Sequence, residues 1–396
     1  MMKKIKYLLH IDHLIITLSA FLLLWLLGVI TFSLDILNPV ADALDNFSIT
    51  DVFFDIEHSG SEPEQSDLIT LVDMTELHKR GDIASLIEEI NLNDPLLVGV
   101  DLIFEGVKDD YHGNELLEGS VQAISDRAIF AKKLIDYSRE SDTFTGSVRS
   151  FFTDSLMIKE AYTNLNDDMA GNCIRDFSIK LSNNGADVLS FPARIAAVFD
   201  ESIKTLDEEE MLINFRNVVF PVVKWNQIAE NSDLIEGHIV LIGTMTEEQD
   251  MHMTPLGKMS GLELQAYSLL TLLEHKNIKK VPGWLKWLFA FLVCYLLEVS
   301  VDVLNRVMEK RATSVPMLFF KEANLLSVIL LFVFIVITCG LFFFLFTKHG
   351  VLIEGGAILA LLALVYESRD LYEALIHAII GKCNSRFITK SLFSSE

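Results

Sequence analysis

The sequence predicts a soluble α/β domain with a central, largely parallel β-sheet, joined to about four transmembrane α-helices. Two observations favour this fold class. Long apolar runs near the N-terminus and in the last third of the chain are long enough to cross a bilayer. Between them, short runs of Leu, Ile and Val alternate with stretches of helical periodicity, which is typical of parallel strands covered by helices.

Composition excludes several classes of protein. Of the 396 residues, 51% are hydrophobic and 22% are charged. This composition suits a chain with one part in lipid and another in water. The net charge of −23 argues against binding to nucleic acid, because phosphate contacts need an excess of Lys and Arg. The four cysteines are too scattered for a disulfide framework or a zinc site. We therefore expect a membrane protein with one soluble domain.

Two of the apolar runs are free of charge over a full span. Residues 14–34 and 323–347 contain no Asp, Glu, Lys or Arg. At about 1.5 Å per residue, each is long enough for a hydrocarbon core of roughly 30 Å. A cleavable signal peptide is the alternative for the first run, since residues 41–43 match a small-x-small cleavage site. The run exceeds the usual apolar core of a signal peptide, so we predict an uncleaved anchor.

Two further candidate spans contain acidic residues. Residues 282–301 hold Lys286 and Glu298, so this segment is either a span whose charges reach opposite interfaces or an interfacial or buried helix. Residues 350–366 contain Glu354 and follow the preceding span closely, as in a helical hairpin. Intramembrane acids can mark proton paths, but both lie near predicted span ends, and we expect them at interfaces.

Basic residues set the orientation. With four crossings, three basic clusters fall on one side, which the positive-inside rule makes the cytoplasm. They are Lys3, Lys4 and Lys6; Arg306, Lys310, Arg311 and Lys321; and Arg369, Lys382, Arg386 and Lys390. The predicted order is a cytoplasmic tail (1–13), helix 14–34, an extracytoplasmic domain (35–281), helix 282–301, a cytoplasmic loop (302–322), helices 323–347 and 350–366, and a cytoplasmic tail (367–396).

The acidity of the chain belongs to the soluble segment. Residues 35–281 contain 45 acidic and 19 basic residues. A solvated surface accounts for this excess, and attraction for cations or basic peptides is the alternative. Cys173 is the only cysteine of the segment, so no internal disulfide can form.

Three short apolar runs predict the central strands: residues 68–72, 96–100 and 239–242. Between the first two, Asp82 is a candidate N-cap, and Ile83, Leu86, Ile87 and Ile90 share one helical face. Pro95 then ends the helix before the second strand. The pattern predicts a right-handed β-α-β unit.

The rest of the segment gives weaker signals. We predict helices over residues 120–137, 192–199 and 261–275, a strand over 211–216, and a strand or loop over 144–152. Because helix 261–275 leads directly towards the span at 282–301, we expect it to transmit movement to the membrane.

Polar residues at the predicted strand ends are the candidate ligand-binding site. Asp73 and Asp101 each follow a strand, and Asp250 and Thr254 lie in the loop after the third. If the strands are neighbours, about 4.8 Å apart, the carboxylates converge and bind a hard cation or share one proton. The alternative is that each Asp caps a turn. The Asp250-x-His252 pair lacks further metal ligands, and no nucleophile-elbow, P-loop or dinucleotide motif occurs, so we expect no metal, no cofactor and no catalysis.

Several blocks recur in the order of a known family. They are residues 71–73 (LVD), 98–104 (VGVDLIF), 213–216 (INFR) with 220–221, 237–244 (GHIVLIGT), Asp250 with 254–257 (TPLG), and 261–266 (GLELQA). Together they resemble the type-two CHASE domain, an extracytoplasmic sensor of bacterial histidine kinases, nucleotide cyclases and serine/threonine kinases. The family layout, with one span before the domain and three after it, also fits. Residues 78–82 replace a Trp-Pro-rich stretch and Gln265 stands where His is usual, which puts any ligand mode relying on those groups in doubt.

The resemblance implies a sensory role. Only 30 residues follow Tyr366, too few for a kinase or cyclase domain, so we expect the output to lie on another protein. The first hypothesis is a membrane-anchored sensor or adaptor in the lipid bilayer that binds an extracytoplasmic ligand or protein and relays it to a separate effector, with a homo-oligomer left open. The second is a structural scaffold with a degenerate sensor domain. An extracytoplasmic hydrolase with paired acids ranks last.

Overall fold

The strands and helices of the soluble segment follow from alternating apolar runs and caps, and the spans follow from uninterrupted apolar sequence. The structure is a computed structural model, and it describes residues 10–33, 49–60, 62–108, 110–165, 173–275, 278–311, 325–353 and 355–380. The chain divides into residues 50–278, termed the globular unit, and residues 1–49 with 279–396, termed the membrane unit.

The first element, α1, belongs to the membrane unit. The elements after it, up to residue 190, form the first half of the globular unit. In chain order they are α1 (Ile11–Ser33), α2 (Ile49–Gly60), β1 (Glu64–Gln65), β2 (Ile69–Asp73), α3 (Arg80–Leu92), β3 (Leu97–Val100), α4 (Tyr111–Ile124), β4 (Ala128–Ser138), β5 (Thr143–Val148), α5 (Thr153–Leu156), β6 (Glu160–Tyr162), β7 (Asp176–Ser178), β8 (Lys180–Asn183) and β9 (Ala186–Leu189).

The remaining elements complete the sheet and build the membrane helices. They are α6 (Phe191–Phe199), β10 (Glu210–Leu212), β11 (Val218–Val219), β12 (Val222–Lys224), β13 (Ile239–Gly243), β14 (Met251–Thr254), β15 (Gly257–Ser260), α7 (Gly261–Leu273), β16 (Lys279–Lys280), α8 (Gly283–Arg311), α9 (Leu325–His349), β17 (Val351–Leu352) and α10 (Gly356–Ile380).

The described part of the globular unit is organised around a mixed nine-stranded sheet. The strand order is β12-β2-β13-β3-β4-β5-β8-β9, and β6 also pairs with β4. The pairs from β12 to β4 are parallel, whereas β4–β5 and β8–β9 are antiparallel. All residues of β3 and β13 are buried, as expected for strands covered on both faces. The carboxyl ends of β2, β13 and β3 therefore lie along one edge of the sheet.

The predicted β-α-β unit is present as β2, α3 and β3. Its predicted apolar face is confirmed, because Ile83, Leu86, Ile87 and Ile90 are all buried. Lys79 occupies the N-cap position, and the predicted cap Asp82 lies in the first turn instead. The two strands are not neighbours, since β13 pairs with both of them.

The helix predicted over residues 120–137 is wrong. Helix α4 ends at Ile124, and β4 begins at Ala128 after a short turn. Residues 128–131 and Leu134 are buried, and the rest of β4 is half-buried or exposed. A short apolar run of this kind fits a buried strand as well as a helix, and the place beside β3 in the sheet decides between them.

The core packs tightly on both faces of the sheet. Helices α3 and α4 cover one face with apolar side chains. On β3, a Cβ added to Gly99 would lie 2.7 Å from Leu241, 2.9 Å from Ile195 and 2.9 Å from Phe191. Gly99 therefore lets α6 approach the sheet more closely than any larger residue would allow.

The membrane unit contains three described helices that are long and apolar enough to cross a membrane: Ile11–Val29, Gly283–Met308 and Leu325–His349. The third of these is the predicted span 323–347 with slightly shifted ends. The predicted fourth span, 350–366, is not among them. Residues 351–352 instead form a short parallel pairing with Lys279–Lys280, and Gly356 begins a helix that continues to Ile380 through several charged residues. Glu354 lies outside the described residues.

Glu298 lies farther from the end of its helix than the sequence predicts. Helix α8 continues to Arg311, beyond the predicted end at residue 301, so Glu298 lies in the middle of the helix. Its side chain is fully buried, and the guanidinium of Arg369 donates a hydrogen bond of 2.9 Å to its Oε1.

Candidate functional site

Asp101 marks the carboxyl edge of the sheet. It follows β3, and its backbone N–H donates to the carbonyl of Ile242 on β13 at 2.8 Å. The end of β13 is close, because a Cβ added to Gly243 would lie 3.5 Å from the Cβ of Asp101. The Asp101 side chain is partly buried, and among the described residues no hydrogen bond to its carboxyl group is found.

Asp250 approaches the same place from the loop after β13. Its carboxylate lies on Gly261, the first residue of α7, where an added Cβ would be 2.6 Å from Oδ1. The helix start is fixed by a capping box in which Ser260 and Glu263 bond reciprocally. A carboxylate is favoured at this position because the N-terminus of a helix carries partial positive charge. Gly261 thus permits an acid to lie against the end of α7.

The charge of Asp250 acts on the Asp101 carboxyl group. Burial, and secondly the negative charge of Asp250, raise the pKa of the Asp101 carboxyl from 3.8 to about 7. Asp250 is the more exposed partner, with 40% of its side chain accessible, and His252 Nε2 lies 3.6 Å from its Oδ1. Asp101, Asp250 and His252 are termed here the carboxyl-edge crevice. It can share a proton or accept hydrogen bonds from a cationic group.

Asp73 is separated from this crevice by one strand. Because β13 lies between β2 and β3, the ends of the latter are roughly 10 Å apart, twice the usual strand spacing. Asp73 Oδ1 accepts hydrogen bonds from the N–H of Thr75 at 3.0 Å and its hydroxyl at 2.6 Å. The Thr75 oxygen accepts in turn from the N–H of Met245 at 3.0 Å. Asp73 therefore caps a turn and, through Thr75, links two loops. For Asp73 this is the alternative to ligand binding that the sequence left open.

Thr254 is also used locally. Its side chain is buried, its hydroxyl donates to the carbonyl of Gly257 at 2.8 Å, and it accepts from the N–H of Leu256 at 3.2 Å. These bonds close the hairpin between β14 and β15. The structure thus brings Asp101 and Asp250 together and assigns Asp73 and Thr254 to turns.

Sequence reasoning missed the group that holds the loop after Asp101. The buried guanidinium of Arg80 donates to the carbonyl of Glu105 at 3.1 Å and of Gly106 at 2.7 Å, and it also bonds Asn114. It lies over the ring of Phe151, 4.6 Å from its centroid. A charge at the start of α3 gave no signal of its own, since such residues usually face solvent.

A cavity of about 270 Å³ lies elsewhere in the globular unit, beside β1. Its lining includes Arg216, which forms ion pairs with Glu64 at 3.2 Å and with Glu274. One guanidinium thus faces two carboxylates and offsets one of their charges.

Comparison with known proteins agrees with this architecture. The family model of the CHASE2 domain matches residues 17–299, which cover more than half of the chain. Neither the curated proteins nor the solved structures contain a significant match. CHASE2 domains are extracytoplasmic sensor domains, and the resemblance predicted from the sequence is confirmed. The chain belongs to the CHASE2 domain family.

Proposed function

We propose that the protein is a membrane-anchored sensor or adaptor of the bacterial inner membrane. Its CHASE2 domain binds a cationic ligand, such as an amine or a basic peptide, at the carboxyl-edge crevice. Binding is relayed through the membrane helices to a separate effector. In this arrangement α10 is the fourth crossing, with Arg369 buried among neighbouring helices.

One observation carries the proposal: the carboxyl group of Asp101 has a raised pKa and no described hydrogen bond, next to a second acid. Asp73 is the internal comparison, because it occupies the same position after β2 and has its acceptors satisfied. The Asp101 carboxyl has no described donor and a second acid lies beside it, so this pair is suited to a ligand that supplies donors. Open α/β sheets bind ligands at this edge.

The relay follows from the order of elements along the chain. Asp250 lies against the first residue of α7, and α8 begins ten residues after α7 ends. A ligand that pulls the two acids together acts on the N-terminus of α7. It shifts the protein between two states only to the extent that it binds one of them better.

The proposal is tested by amine binding to the full-length protein in detergent. We expect a series from ethylamine to spermidine to raise the thermal unfolding midpoint of the wild type, because a ligand that binds only the folded state stabilises it. Asp101→Asn should abolish the increase. Asp67→Asn, which removes an exposed acid before β2, should retain it. Equal increases in all three proteins would show non-specific attraction to an acidic domain and contradict the proposal.

A structural scaffold with a degenerate sensor domain is the second candidate. It is favoured by Asp73 and Thr254, whose side chains serve turns rather than the crevice. A scaffold predicts no amine effect at any concentration and no change in effector recruitment in Asp101→Asn.

A further inference from the structure

The cavity of about 270 Å³ beside β1 lies near the amino end of β2, at the edge of the sheet opposite the carboxyl-edge crevice. Residues 64–68, which come directly before β2, line one part of it, and residues 216–218 and the end of α7 line the rest. It is termed here the β1 cavity. Pockets for drug-sized ligands measure roughly 300–1,000 Å³, so this slightly smaller cavity suits a small molecule.

Part of the lining is apolar. The apolar residues that line the cavity are Leu68, Val218, Leu270 and Leu273. Leu270 and Leu273 lie one turn apart on α7, on neighbouring positions of the same face. A hydrocarbon group placed against these side chains is removed from water, which stabilises the bound state. The β1 cavity therefore favours a ligand with an apolar side chain.

The polar part of the lining is centred on the guanidinium group of Arg216. It donates hydrogen bonds to Glu274 and, at 3.2 Å, to Oε2 of Glu64. The side chain of Glu64 is 72% exposed, and an ion pair with such an exposed partner contributes little to stability. Because a guanidinium group pairs well with a carboxylate, a ligand carboxylate can take the place of Glu64 on Arg216.

The hydroxyl group of Ser66 supplies a second donor. Ser66 lines the cavity and is buried. Its oxygen accepts hydrogen bonds from the N–H of Ile69 at 3.2 Å and of Leu68 at 3.5 Å. In the part of the chain that the structure describes, the hydroxyl acts only as an acceptor. Its hydrogen therefore remains for an oxygen of the ligand.

A positive charge is favoured at the end of α7. Glu274 occupies the C-cap position of this helix and lines the cavity. The last turn of α7, which is described in full, contains no basic residue. The carbonyl groups at the C-terminus of a helix attract cations. Glu64, once released from Arg216, is a second carboxylate beside the same cavity.

We infer that the β1 cavity binds a zwitterionic amino acid with an apolar side chain. The ligand carboxylate pairs with Arg216, its ammonium group pairs with Glu64 and Glu274, and its side chain covers Leu270 and Leu273. A simple amine leaves the donors of Arg216 unused, and a simple carboxylate faces two acids without a cation of its own. This ligand differs from the amine proposed for the carboxyl-edge crevice, because it must carry both charges.

The test is titration calorimetry on the full-length protein in detergent. Asp101→Asn serves as the parent, so that the crevice contributes no amine binding. Three ligands with the same branched hydrocarbon group are compared: leucine, 3-methylbutylamine, which lacks the carboxylate, and 4-methylpentanoate, which lacks the ammonium group. We expect leucine to bind the parent roughly tenfold or more tightly than either analogue, since each analogue loses one set of charged hydrogen bonds.

Arg216→Gln in the same parent should weaken leucine binding roughly tenfold or more. Arg127→Gln is the matched control, because Arg127 pairs with Asp94 away from the cavity lining, and it should bind leucine like the parent. If Arg216→Gln does not fold, Leu273→Trp replaces it, since a larger apolar side chain fills the cavity. Absence of leucine binding to the parent, equal affinities for leucine and either analogue, or unchanged leucine binding in the folded cavity variant would each overturn the inference.

Discussion

Replacing Asp101 with Asn should make the protein more stable at neutral and alkaline pH. The unfolded carboxyl loses its proton near 3.8, whereas burial and Asp250 hold the pKa of the folded carboxyl at about 7. Between these values the folded chain carries a proton that the unfolded chain has released. Stability therefore falls as the pH rises through this window and is level above it. The amide of Asn does not titrate and avoids the loss.

The magnitude follows from the width of the window. About three pH units at about 1.36 kcal/mol each give roughly 4 kcal/mol. Because Asp101 keeps part of its surface in solvent, we expect roughly 2–4 kcal/mol. Denaturant unfolding of wild type and variant at pH 4 and pH 8 measures this difference, with Asp73→Ala as the control that should be destabilised through its lost acceptor. A wild type as stable as Asp101→Asn at pH 8, or a gap of the same size at pH 4, would refute the reasoning.

Three glycine and cap positions give further predictions. Gly99→Ala should cost roughly 1–3 kcal/mol in denaturant unfolding, since the added Cβ meets side chains at under 3 Å, while the open Gly119→Ala should be neutral or stabilising. Ser260→Ala should lower stability by about 1 kcal/mol through loss of the cap, and Ser260→Asn should restore most of it. Gly261→Ala should displace the Asp250 carboxylate, so amine binding should weaken and the pH dependence of unfolding should shrink; an unchanged pH profile would contradict the assigned contact.

The elements with strong local signals could be predicted from sequence. The β2-α3-β3 unit has two buried apolar runs and a helix with a clear apolar face, and the structure places all three within a few residues of the prediction. The α6 helix benefits from a proline at its first turn. These signals are local, so they do not depend on what lies beside the element.

The failures share one physical cause. The sequence of β4 fits a helix as well as a strand because its buried run is short. Its pairing with β3 in the sheet makes it a strand. The insertion of β13 between β2 and β3 is likewise invisible locally, since it joins residues that are more than a hundred positions apart. The burial of Glu298 cannot be predicted locally either, because its partner Arg369 lies on a different helix.

Asp73 and Asp101 show the limit most directly. Both follow buried strands of one β-α-β unit, and nothing in their immediate sequence distinguishes a cap from a ligand. The difference comes from contacts made by residues later in the chain. The loop after β13 places the N–H of Met245 next to the side-chain oxygen of Thr75. This hydrogen bond completes the network around Asp73. The next loop brings Asp250 to Asp101 and adds a second negative charge instead of a donor. Asp73 thereby has its acceptor satisfied by the fold, whereas the Asp101 carboxyl has no described hydrogen bond, which is why we propose it as the ligand contact.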